Sequence, residues 1–202
     1  MSSSSAASQA IPKLRIDFVC TGNICRSPLG HWMLQQKIQK AGLSNSIDIF
    51  SSGTSGHTNW PADHRSIAVG EENGYDLTRH KARCLHANDY KDSDLLLALD
   101  TSHARYMLRD APVPYRNKIR LLYQYAQLPS TTSSTSTGPS LTSSALDIPD
   151  PYYDDMDAFR DVYRMIDVST DGLLTIIKQA MNTNDPKNTL LASVPAPQHS
   201  FR

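Results

Sequence analysis

Two cysteines, an arginine and two hydroxyl residues stand within one short stretch, Cys20-Thr21-Gly22-Asn23-Ile24-Cys25-Arg26-Ser27, followed by Pro28. Five residues separate Cys20 from Arg26. A loop of that length lets successive backbone N–H groups of Thr21, Gly22, Asn23, Ile24 and Cys25 curl around one tetrahedral anion. Arg26 can close the ring with a planar fork of donors matched to phosphate oxygens. Cys20 then lies at the floor of the cradle, where a thiolate can attack phosphorus. Ser27 can donate its hydroxyl to that sulfur and help it leave; it also reads as a helix N-cap. Asn23 tolerates a left-handed backbone, and its amide can brace a turn.

A second concentration is Pro149-Asp150-Pro151-Tyr152-Tyr153. Breaking a P–O bond is helped by a carboxylic acid that protonates the departing oxygen. Asp150 stands between two prolines, which stiffen the segment. By spacing alone, an ordinary Asp-Pro turn explains these residues better, and Asp147 is a nearby carboxylate of the same kind.

Elements must hold these groups. Leu14 to Val19 is a short apolar and β-branched run, which predicts a buried strand. Leu34, Ile38 and Ala41 repeat at helical spacing after Pro28, which suits a first helical turn. The loop therefore joins a strand to a helix N-terminus, where anions bind in open α/β sheets. The positive helix end and Arg26 favour the anionic form of Cys20. Further strands are expected at about 47–51, 94–99 and 118–122, and helices at about 28–41, 62–74, 101–109 and 156–180. This alternation predicts an α/β fold with a doubly wound, four-stranded parallel sheet flanked by helices. The last helix carries an apolar stripe through Phe159, Val162, Tyr163, Ile166, Leu173 and Ile177, with Asp154, Asp155 and Asp157 at its dipole-favoured start.

The stretch Cys20 to Pro28 resembles the signature of the low-molecular-weight protein tyrosine phosphatases. The resemblance recurs in Ser51-Ser52-Gly53-Thr54, in Asp76 to Arg83 around His80, in Leu97-Ala98-Leu99-Asp100 and in Pro149 to Tyr153. It spans about residues 13 to 180. It implies the flavodoxin-like phosphatase I fold and hydrolysis of protein phosphotyrosine and small aryl phosphates through a cysteinyl phosphate. Cys20 would be the nucleophile, Arg26 the phosphate clamp and Asp150 the general acid and base. Asn23, Ser27, Ser52 and His80 would form a network that supports the loop. Tyr152 and Tyr153 would wall the substrate pocket. In this family Ile at the Ile24 position goes with phosphotyrosine, and Thr with phosphoarginine. The resemblance also implies a reversible Cys20–Cys25 disulfide that guards Cys20 from over-oxidation; a small buried apolar role is the plain alternative for Cys25. No cofactor and no metal are implied.

The chain departs from the family in three places. Gly30-His31 replaces the usual Ala-Glu. Asp154 replaces the Gly that usually follows the tyrosine pair. In Thr54 to Ala62, where the family places a pocket aromatic early, His57 stands near that place and Trp60 three residues later in a segment about one residue shorter, and both are candidates to line the substrate site. Two other readings remain. Arsenate reductases share this fold and loop but need two further cysteines, and only Cys84 stands outside the loop. A phosphoprotein-binding module without turnover would be expected to lose Cys20, Arg26 or Asp150.

The whole chain bounds the rest. Its 202 residues suit one domain with a real core. Twenty Lys and Arg balance twenty Asp and Glu, so neither nucleic acid nor membrane is suggested as a partner. The expected partners are phosphotyrosine-bearing proteins or small aryl phosphates, with no oligomeric state implied. Three cysteines without metal-ligand spacing fit a reducing cytoplasm. Residues 1–12 read as a disordered arm, 13–181 as one domain and 182–202 as a disordered tail. Within the domain, 130–144 is an insertion with twelve Ser or Thr, too polar to offset its ordering entropy.

Overall fold

The computed structural model describes residues 13–127 and 146–197. The expected arm at 1–12 and the Ser/Thr insertion at 130–144 lie outside them. Four strands, β1 (Leu14–Cys20), β2 (Ile47–Gly53), β3 (Leu95–Ala98) and β4 (Ile119–Leu121), form one sheet in the order β2-β1-β3-β4. Every pairing is parallel, and the register sets Cys20 beside Gly53 and Val19 beside Ala98. Among the described residues six α-helices flank it: α1 (Arg26–Lys40), α2 (His64–Glu72), α3 (Ala87–Asp92), α4 (Thr101–Asp110), α5 (Met156–Ala180) and α6 (Pro186–Ala192).

Side-chain alternation along β1 divides the core. Leu14, Ile16, Phe18 and Cys20 face one cluster, packed with Leu29, Met33, Leu34 and Ile38 of α1 and Val162, Ile166, Leu173 and Ile177 of α5. Val19 joins the opposite cluster with Leu96, Ala98, Ala104, Met107 and Leu108. Layers on both faces leave the carboxyl ends of β1 and β3 free to carry loops at one edge, and the conserved geometry of such sheets puts ligand sites there.

Gly30 explains one departure from the expected pattern. A Cβ there would come within 2.5 Å of the Phe18 ring, so glycine lets α1 seat against β1. The neighbouring His31 turns to Ser51 on β2, with Nδ1 3.2 Å from its hydroxyl, and stacks on Trp32.

Several boundaries differ from expectation. Helix α1 starts at Arg26, so Arg26 and Ser27 belong to its first turn. Pro28 causes no loss there, because N–H groups of a first turn have no intrahelical partner. Helix α2 is shorter than expected: Asp63 caps it, and Gly74 (φ +80°) lies just past its end. Helix α3 spans only six residues, too few to show a period. The expectation of a disordered tail over 182–202 does not hold for 182–197. Asp185 caps α6, accepting from Asn188 N at 3.0 Å, and Pro186 opens it. Leu190 and Val194 are buried in the main core.

Candidate active site

Cys20 ends β1, and the loop from Thr21 to Cys25 carries the chain into α1. Asn23 adopts φ +57°, a left-handed turn that curls the loop back on itself. The loop rests on β2 at Gly53, where a Cβ would lie 2.5 Å from Thr21 O and 3.0 Å from Asn23 N. Thr54 and Ser55 donate their backbone N–H groups to Cys20 O and Thr21 O, both at 2.9 Å.

Four expected supporting residues converge beneath this loop. The Asn23 amide donates to Ser27 Oγ at 2.8 Å. That leaves the Ser27 proton free for Cys20 Sγ, 3.0 Å away. His80 Nε2 donates to Asn23 O at 2.7 Å, and burial works against its charged form. Ser52 supports at one remove: its carbonyl lies 3.4 Å from the Ser27 hydroxyl, and its own hydroxyl donates to Asp17. The Asn23 side chain thus serves the support network and does not line the cleft.

Arg26 is nearly enclosed, with 3 % of its side chain exposed. Its Nη1 donates to Asp100 Oδ2 at 2.7 Å and to Ile148 O at 3.0 Å. Nη2 lies 2.8 Å from Asp150 Oδ2. Asp150 is 51 % exposed, so this carboxylate spans the cleft mouth and the buried guanidinium. Asp147 is occupied elsewhere: its oxygens accept from Thr101 N and Thr101 Oγ1 at 2.7 and 3.0 Å, which ties the segment before Asp150 to α4.

The cleft above the loop encloses about 390 Å³ and is lined by loop residues Cys20 to Gly22 and Ile24 to Arg26. Its outer wall is His57, Asp150, Tyr152 and Tyr153. Tyr152 and Tyr153 meet edge to face at 5.0 Å, and Tyr153 is 95 % exposed. His57 takes the rim position and lies close over Gly22. Trp60, the other candidate, does not line the cleft; its ring packs against His57 at 4.5 Å and is 54 % exposed. Cys25 lines the cleft as a free thiol. Burial first, then the nearby Asp63 and Cys20, push its ionisation well above the usual thiol range. Cys25 therefore stays protonated and does not compete with Cys20 for phosphorus.

Residues to which the sequence assigned no role complete the surroundings. Asp100 follows β3 and anchors Arg26. Burial disfavours its carboxylate, but hydrogen bonds from His103 and Ser102 outweigh this and hold it far below the usual range. His103 also lies 2.9 Å from Thr21 Oγ1 through Nε2. The position of Asp100 just past a strand's carboxyl end was the available signal. Asp17 and Arg83 pair at 2.6 Å under the loop, and Arg83 N donates to Asn23 Oδ1 at 3.0 Å. Among the described residues no cluster of His, Cys, Asp or Glu is arranged to hold a metal ion.

The arrangement suits capture of a phosphate monoester: a thiol floor, a loop leading into a helix start, a buried guanidinium and a half-exposed carboxylate. Known proteins agree with it. The family described as low molecular weight phosphotyrosine protein phosphatase matches residues 15–184. A low molecular weight protein-tyrosine-phosphatase of Streptomyces coelicolor is 36 % identical over 167 residues, 82 % of this chain and 94 % of its own. A low molecular weight phosphotyrosine protein phosphatase of Schizosaccharomyces pombe is 34 % identical, covering 81 % of this chain and 97 % of its own. Among solved structures, a protein tyrosine phosphatase of Entamoeba histolytica with Hepes in its active site superposes with a TM-score of 0.71 at 27 % identity, over 84 % of this chain and 99 % of its own.

Proposed function

The chain belongs to the low molecular weight phosphotyrosine protein phosphatase family, and from that premise we propose that Cys20, Arg26 and Asp150 hydrolyse protein phosphotyrosine and small aryl phosphates through a cysteinyl phosphate. It is a phosphomonoester hydrolase, and the arsenate reductase and non-catalytic readings give way to that membership. The observation that carries the mechanism is the presence of all three side chains in one cleft over the loop.

The entering phosphate takes the place that Asp150 holds on Arg26 Nη2. Loop amides and Arg26 then hold the three equatorial oxygens, whose charge must be stabilised in the transition state. The Cys20 sulfur attacks phosphorus in line and forms the S–P bond. Displaced from Arg26, the half-exposed Asp150 carboxylate takes a proton from solvent, and as the P–O bond to the phenol breaks it gives that proton to the departing oxygen. In the second step Asp150 takes a proton from water, the water oxygen bonds to phosphorus, and the S–P bond breaks. Ser27 donates to the departing thiolate, because Asn23 already fills its acceptor side. His57, Tyr152 and Tyr153 flank the aryl ring, and Ile24 offers it an apolar contact with no polar handle for a guanidinium. Cys25 is the partner proposed for a protective disulfide with Cys20. The proposed compartment is the cytoplasm; no helix among the described residues is long and apolar enough to cross a membrane.

Purified protein is expected to release p-nitrophenol from p-nitrophenyl phosphate at mildly acidic pH, and Cys20→Ser to release none. Turnover retained by Cys20→Ser would remove Cys20 as nucleophile. In a peptide panel, phosphotyrosine should be hydrolysed in preference to phosphoserine and phosphoarginine; a preference for phosphoarginine would overturn the substrate assignment.

A further inference from the structure

We infer that Arg65 is a positioning residue that clamps the acid loop to the phosphate loop, an inference that rests on the assignment of Asp150 as general acid. Arg65 sits in the first turn of α2, and its guanidinium serves two loops at once. Toward Asp63, the helix cap, it donates from Nε to Oδ1 at 3.0 Å and from Nη2 to Oδ2 at 2.9 Å, a two-point fork. Toward the acid loop it donates from Nη2 to Tyr152 O at 2.9 Å and from Nη1 to Asp154 O at 2.8 Å. Asp150 stands just before these two carbonyls, and Tyr152 N closes the turn onto Asp150 Oδ1 at 3.3 Å.

The other end of the bridge is the phosphate loop. Asp63 N donates to Ile24 O at 2.8 Å, and Ser66 Oγ to Cys25 O at 3.3 Å. The start of α2 is therefore bonded to the floor of the site, and Arg65 extends from it to the wall. Ring faces complete the seat: the guanidinium lies 4.4 Å from the Phe159 centroid and 5.8 Å from that of Tyr152. Phe159 is fully buried in a small cluster with Ile24 and Cys25. Burial disfavours the Asp63 carboxylate, but the Arg65 hydrogen bonds prevail and hold it below its ordinary range.

Asp150 is half exposed, and its only ion pair among the described residues, with Arg26, is the one the substrate displaces. Something else must return its carboxyl to the leaving oxygen, and the carbonyls held by Arg65 do so. Arg65 touches no reacting atom. Its loss should weaken proton donation while sparing the anion cradle. Lysine cannot replace it, since one ammonium cannot reach both the two carboxylate oxygens and two carbonyls in a planar fork.

The test compares kcat/KM for p-nitrophenyl phosphate, whose phenolate leaves without help, with that for phenyl phosphate, whose phenolate needs the proton. Asp150→Ala sets the scale of full acid loss. Arg65→Met is expected to lose ~30-fold for phenyl phosphate and under about threefold for p-nitrophenyl phosphate, within the range of an acid misplaced by about 1 Å. Inhibition by inorganic phosphate should change less than about twofold, since no cradle contact is lost. Arg65→Lys, which keeps the charge, should show the same graded loss and guards against a folding defect, checked by thermal melting. Equal losses for both esters, or a matching loss of phosphate affinity, would overturn the clamp. A graded Asp150→Ala profile beside a flat Arg65→Met profile overturns the clamp alone. Flat profiles in both overturn the acid assignment and the clamp with it.

Discussion

Asp17 is fully buried and His31 partly buried close to the phosphate loop, and loss of solvent moves them in opposite senses. Asp17 accepts from Ser52 and from Arg83, yet burial dominates and raises its carboxyl from 3.8 to about 7. His31 beside Ser51 is pushed from 6.5 down to about 3, again mainly by burial. Between about pH 4 and 7 the folded protein keeps a proton on Asp17 that the unfolded chain has released, so this group lowers stability as pH rises through that window. Over about pH 3 to 6.5 the unfolded chain protonates its histidine while folded His31 stays neutral, so this group lowers stability as pH falls. The two slopes oppose each other in the wild type. Relative to it, the melting temperature of Asp17→Asn should climb more steeply from pH 4 to 6.5, and that of His31→Gln should climb less or decline. Parallel curves for all three proteins would show that neither group titrates in this way. A carboxylate mid-strand gave no such warning in sequence, because its depth depends on the helices laid over both faces of the sheet.

At the scale of elements, the contact between the end of β2 and the phosphate loop sets the shape of the cradle. Gly53 is paired with Cys20 in the register, and no side chain fits between it and Thr21 O. Gly53→Ala would force the loop to move, since the obstructing atoms are backbone. We expect kcat/KM to fall about 10²-fold, the scale of a 1 Å misplacement, together with a weakened competitive inhibition by phosphate. Unchanged phosphate inhibition in a folded Gly53→Ala protein would show that the loop adapts. This variant should differ from Arg65→Met, which disturbs the acid while sparing the cradle. The Ser51-Ser52-Gly53-Thr54 segment was recognisable in sequence, but its closeness to the loop came only from parallel pairing.

Across the whole molecule, the C-terminal segment closes the core beside β4. Arg120, buried at that strand, donates to Val194 O at 2.9 Å, to Leu191 O, to Asn117 O at 2.8 Å and to Ile119 O at 2.7 Å. Backbone carbonyls thus satisfy a guanidinium whose charge burial disfavours. Leu190 is fully buried, and Lys187 pairs with Asp94 at 2.8 Å. Leu190→Ala should lower unfolding free energy by about 2–4 kcal/mol through the cavity it leaves, with phosphate inhibition unchanged, as urea denaturation and steady-state assays would reveal. A loss under about 0.5 kcal/mol, the usual range for a surface position, would place α6 outside the cooperative core.

Local chemistry in the sequence determined the strand–loop–helix around Cys20 and the parallel α/β alternation, since a five-residue loop and period-3.6 stripes are short-range properties. Tertiary structure decided which candidates meet. It brought His57 to the cleft and left Trp60 behind it, assigned Asp147 to α4 and Asp150 to Arg26, and placed Asp100, Arg65 and Asp17 around the site. Each of those pairings joins residues far apart in the chain, so only the packing of separate elements could select one partner among several chemically equal ones. Helix α6 was hidden for a related reason: a seven-residue helix shows no stripe of its own, and only the core it covers identifies Leu190 as its buried side.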